Sequence, residues 1–120
     1  MRYMTIVRTR EGQVPPPALL EKIDKLAAEM VDKGVWVGAG GLGPTAAGAR
    51  LRLANGKITV KDGPFSEAKE VVGGYAIFEV ASKQEALEWT RRFLETHIGL
   101  WPHEIEVELR PMMDDPSQRR

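Results

Sequence analysis

Cysteine is absent from the 120 residues. That removes disulfides, thiolate nucleophiles and Cys-based zinc sites together, and it fits a reducing cytoplasm. Histidine is nearly absent too: the two, His97 and His103, both lie near the end of the chain. A metal would need a third ligand, such as Glu104, so no metal site is assigned. Charge of one sign is not in excess, with 17 Lys and Arg against 17 Asp and Glu. The basic surface that nucleic acid demands is therefore missing. No apolar run approaches the roughly 18 residues that span a bilayer. The opening MRYMTIVRTR is rich in arginine and does not read as a signal peptide. Phosphate-loop spacing is lacking as well. GAGGLG (38–43) has the glycines of a dinucleotide fingerprint, but Pro44 and Gly48 stand where its helix would begin. No cofactor, nucleic acid or membrane is expected.

What is present suits one domain, expected over 1–112, with a frayed polar tail at 113–120. YMTIVRT (3–9) alternates as a strand, and the break EGQVPPP follows. Leu19, Ile23, Leu26 and Met30 recur at helical spacing, predicting a helix over 18–33. Pro16 or Pro17 suits its first turn, and Gly34 the position past its end. Val35 to Ala39 is a short apolar strand. RLRLANGKITVK (50–61) reads as a β-hairpin, because Asn55-Gly56 tolerates positive φ at both turn positions. YAIFEV (75–80) is a further strand. Ser82 and Glu85 form a capping box for a helix over 82–97, and IEVELR (105–110) is the last strand.

Without the inserted hairpin the order is βαββαβ, a ferredoxin-like α+β pattern. Two helices are expected on one face of an antiparallel sheet, over Ala76, Phe78 and Val80. The other face is expected to carry Tyr3, Thr5 and Val7 of the first strand and Tyr75, Ile77 and Glu79 of the YAIFEV strand. From the last strand it takes Glu104, Glu106, Glu108 and Arg110. A half-apolar face invites a second copy, so a homodimer is expected, with Arg110 pairing one of the carboxylates.

The stretch KDGPFSEAKEVVGGYAIFEV (61–80) raises the question of chemistry. Asp62 is the candidate catalytic residue, a carboxylate able to act as acid or base. Its alternative role is to close an Asx-type turn at Asp62-Gly63-Pro64-Phe65. Ser66 to Glu70 reads as a solvated charged run, and Gly73-Gly74 as a bulge entering the strand. His97, at the end of the second helix, is placed to complement the helix dipole as a cation. A small-molecule site would be lined by Tyr3, Phe65 and Tyr75, with Glu79, Glu108 and Arg110 orienting a polar ligand.

The core Asp62-Gly63-Pro64-Phe65, with Glu67, Lys69, Glu70, Gly73, Gly74 and Glu79, resembles the signature of the DGPF subgroup of YCII-related proteins. The likeness extends back through GLGPTAAGARLRLANGKITV and forward to ALEWTRRF and VELRPM. It implies a ferredoxin-like fold that pairs sheet to sheet into a dimeric α/β barrel. It also implies a His–Asp pair in a cleft. The segment ALLEKIDKLAAEMVDKG (18–34), where the histidine would fall, has none, so Asp62 alone carries over. Two functions stay open. One is a small-molecule-binding barrel with acid–base chemistry at Asp62. The other, implied by the resemblance, is a non-enzymatic module associated with an extracytoplasmic-function sigma factor.

Overall fold

The computed structural model of the chain describes residues 1–65 and 71–113. The charged run at 66–70 and the tail from 114 onward lie outside the described residues. Strand β1 (Arg2–Thr9) lies inside a four-stranded antiparallel sheet of order β2-β5-β1-β6. Its neighbours are β5 (Val71–Glu79) and β6 (Ile105–Pro111), and β2 (Trp36–Gly41) is the opposite edge. Helices α1 (Pro17–Asp32) and α2 (Lys83–Glu95) pack on the sheet. The arrangement is α+β and compatible with a ferredoxin-like fold.

The local signals explain where the elements begin and end. Pro17 opens α1, where its missing N–H costs nothing. Gly34 ends it at φ 74°, a conformation that a side chain would resist. At α2 the Glu85 amide donates to Ser82 Oγ, and the Glu85 carboxylate accepts from the Ala81 amide. Gly73 is the extra residue of a bulge in β5: Val7 pairs with Gly74, but Arg8 pairs with Val72.

The core gathers Tyr3, Leu26, Met30, Val35, Phe78, Val80, Ala86 and Trp89 between the sheet and the helices. Phe78 and Val80 are where the sequence places them. Tyr3 is not. It was expected on the open face and is instead buried beneath the helices, with Thr5 next to it in the same layer. The cause is register. Tyr3 lies directly opposite Phe78, and Thr5 opposite Ala76, and antiparallel partners share a face. The open face of β1 therefore carries Met4 and Ile6, opposite Ile77 and Tyr75.

The inserted hairpin stands apart. β3 (Ala49–Ala54) and β4 (Lys57–Asp62) form their own two-stranded sheet, joined at Asn55-Gly56 with φ of 52° and 74°. Every residue of both strands is exposed. Leu51 pairs with Val60 and Leu53 with Ile58, so the four aliphatic side chains share one face of this arm. Asp62, opposite Ala49, ends that same face. The root is tied at two points. The Gly63 amide donates to the Gly48 carbonyl at 2.9 Å. Thr45, in a single 3-10 turn, donates its amide and hydroxyl to the Glu11 carboxylate.

Candidate functional site: a cleft between sheet and helices

Between the sheet and the helices, reaching the C-terminal end of β1, lies a cleft of about 700 Å³. That volume suits a small organic ligand. Leu19, Ile23 and Ala27 of α1 form one wall and Phe93, His97 and Trp101 another, with Thr5, Val7, Thr9, Ala76 and Phe78 as the floor. Most of this surface is apolar.

His97 is a buried titratable residue of the cleft, which Arg10 and Glu11 also line. It is 7% exposed. Its Nδ1 lies 3.0 Å from the Phe93 carbonyl oxygen and 3.1 Å from Thr96 Oγ1. The carbonyl can only accept, so Nδ1 carries the proton and Nε2 keeps its lone pair in the neutral ring. Burial holds the imidazole below its ordinary 6.5, against the hydrogen bond to the Phe93 carbonyl, which favours the charged form. The expectation of a cation at the helix end is thus corrected: desolvation disfavours the charge that the dipole would welcome. Phe93 meets the imidazole edge-on at 4.8 Å between centroids, and Trp101 does so at 6.2 Å. Among the described residues, Thr9 Oγ1 and Trp101 Nε1 are buried without a hydrogen-bond partner. Chemically, the cleft sets the His97 imidazole among largely apolar walls.

The residues expected to form the site do not converge on this cleft. Tyr3 is core. Asp62 is exposed at the end of β4, and its carboxylate meets no hydrogen-bond or ion-pair partner among the described residues. The Asx-turn bonds expected of it are not made there. The turn root is held instead by the Gly63–Gly48 bond, beside a cis Gly63–Pro64 peptide. Phe65 lies under the Arg50 guanidinium, 4.0 Å from ring centroid to carbon. Tyr75 borders the cleft, and its ring lies over Gly40: a Cβ at Gly40 would sit 2.9 Å from Tyr75 Cε1.

The three remaining candidates belong to ion pairs on the open face. Glu79 holds Arg2 at 3.2 Å and the N-terminal ammonium at 3.5 Å. Glu108 holds Arg110 at 3.0 Å and Arg8 at 3.4 Å. The Arg110 hydrogen bond is the main cause of the lowered pKa of Glu108, opposed by desolvation and aided by Arg8. Arg110 thus finds a carboxylate, as its position on the last strand anticipated.

Sequence reasoning overlooked His97, Thr9 and Trp101 as companions. A signal was present: Phe93, His97 and Trp101 recur every four residues, one stripe on a helical path. The amides of His97 and Trp101 bond to the carbonyls of Leu94 and His97 in the turns after α2, where Gly99, at φ 80°, ends the helical path.

Comparison with known proteins places the chain in a family. The family model for the YCII-related domain matches residues 1–108. The chain belongs to the YCII-related family. A curated relative, an uncharacterised protein of Rhizobium meliloti (strain 1021), is 37% identical over 76 residues. That match covers 58% of this chain and 61% of the relative. Among the described residues of this YCII-related chain, no helix is long and apolar enough to cross a membrane. Nor do three His, Asp or Glu side chains cluster there as a metal site would need.

Proposed function

We propose that this YCII-related protein binds a small, largely apolar molecule in the cleft between sheet and helices. In this reading it pairs through its open sheet face with a second copy, as a dimeric α/β barrel of the DGPF subgroup. The observation that carries the binding is the cleft itself: about 700 Å³ and largely apolar, with the His97 imidazole at its wall. A ligand with an apolar body and one hydrogen-bonding end would satisfy both features. Any proton transfer would fall to His97 or Glu11, which both line this cleft, and not to Asp62, which does not. The pairing draws support from Met4, Ile6 and Ile77, half-buried apolar side chains within a rim of ion pairs.

A metabolite screen read by thermal shift tests the reading. A compound at a hundred times its dissociation constant stabilises by about 2.7 kcal/mol. Ala27→Phe, which fills the cleft from α1, should abolish the shift while the protein stays folded. Hits that survive Ala27→Phe unchanged would move the site elsewhere. The alternative, a sigma-factor-associated module without a ligand, gains support from Asp62, which stands outside the cleft and at the root of an exposed arm. It predicts a screen without hits and a complex with the sigma factor in a co-purification.

A further inference from the structure

Among the described residues that line the cleft, Arg10 and Glu11 carry formal charge. Their states differ. Glu11 has both carboxylate oxygens engaged by Thr45: Oε1 accepts from the amide and Oε2 from the hydroxyl. Arg10 makes no hydrogen bond or ion pair among the described residues. The arginines of β1 contrast with it, since Arg2 holds Glu79 and Arg8 holds Glu108. The uncommitted charge of the cleft is therefore positive. Its place is the mouth: Arg10 is exposed, whereas Leu19, Leu26, Met30 and Phe78 of the lining are buried. The rim is apolar as well. Val14, Leu20 and Leu42 line the cleft while staying 85%, 46% and 52% exposed.

We infer that the cleft takes an organic acid, a molecule with an apolar body inside and one carboxylate held at the mouth by Arg10. This rests on the cleft binding proposed above and adds the sign of the ligand's charge. A guanidinium offers a planar fork of N–H donors that matches a carboxylate. Apolar surroundings limit the competition from water and strengthen such a bond. An amine would instead meet a cation at the mouth, with the Glu11 oxygens already hydrogen-bonded. A neutral ligand would gain nothing from the Arg10 charge.

Two dyes that share one body separate charge from shape. Anilinonaphthalenesulfonate carries an anion, and N-phenylnaphthylamine is the same ring system without it. The chain's three tryptophans, Trp36, Trp89 and Trp101, all line the cleft, so energy transfer from them to the dye reports occupancy there. Wild type should bind the anionic dye roughly tenfold more tightly than the neutral one, as one charge-assisted contact allows. Added salt should narrow that gap. Arg10→Gln should erase it without changing the affinity for the neutral dye, and Arg10→Lys should keep part of it. Arg10 is exposed, so circular dichroism should show both variants folded. Octanoate should displace the dye at a lower concentration than octanamide does. Equal affinity for the two dyes in wild type, or a gap that survives Arg10→Gln, would overturn the role of Arg10 and leave the cleft binding intact. Octanoate no better than octanamide would overturn the carboxylate. Binding of both dyes unchanged in Ala27→Phe would put them outside the cleft and overturn the cleft binding itself. Binding of neither dye would overturn both.

Discussion

At the scale of single residues, burial separates His97 from Asp62. His97 is buried with its pKa lowered by desolvation. Such a group binds more protons unfolded than folded as the pH drops below the ordinary 6.5. Stability is therefore complete above that value and declines as pH falls through the lowered one. Denaturant titrations between pH 7 and 5 should show a loss of at most about 1.4 kcal/mol per pH unit from this group. His97→Phe should flatten the profile, and an unchanged slope would place the effect on another residue. Asp62 is exposed and unpaired among the described residues. Asp62→Asn and Asp62→Ala should each lie within about 0.5 kcal/mol of wild type. If an activity is found and vanishes in a folded Asp62→Asn protein, the carboxylate has a chemical task that its position does not disclose.

At the scale of elements, Gly63 at the root of the arm is the point of least tolerance. A Cβ at Gly63 would stand 1.7 Å from the Thr45 carbonyl oxygen. Gly63→Ala must push the 3-10 turn away and should cost roughly 1–3 kcal/mol, as overpacking does, readable as a lower urea midpoint. Gly56→Ala sits in open space, so only its positive φ opposes it. Most elements were legible in the sequence because each has its own local device: the Asn55-Gly56 turn, the Ser82–Glu85 box, Pro17 and Gly34. The facing of β1 was not. Tyr3-Thr5-Val7 and Met4-Ile6-Arg8 are about equally amphipathic, so composition could not choose between them. Only pairing with Phe78 decides, and a shift of one residue inverts every side chain. The cleft was illegible for a related reason. Thr9 ends β1 while His97 and Trp101 lie in the turns after α2, and no spacing rule links that strand end to those turns.

At the scale of the whole molecule, one face of the sheet is spent on helices and the other is left to Met4, Ile6, Tyr75 and Ile77, ringed by paired charges. Ile77→Arg puts a cation in the middle of that face. If the face is an interface, the variant should sediment at half the mass of wild type at micromolar concentration, since an unpaired charge buried there is costly. If wild type and variant share one mass, the pairing is wrong. Ligand binding in the cleft, on the opposite side of the sheet, should persist in a monomeric variant.

The bond from the Gly63 amide to the Gly48 carbonyl closes a loop of chain whose two ends already touch. The fourteen residues between them form a cassette, clasped at its base and independent of the sheet's own strand pairing. A hairpin of different length or face chemistry could be grafted at the same clasp without disturbing β1, β2, β5 or β6. The surface of the arm and the lining of the cleft would then be written in separate parts of one small chain, each free to change while the other is kept.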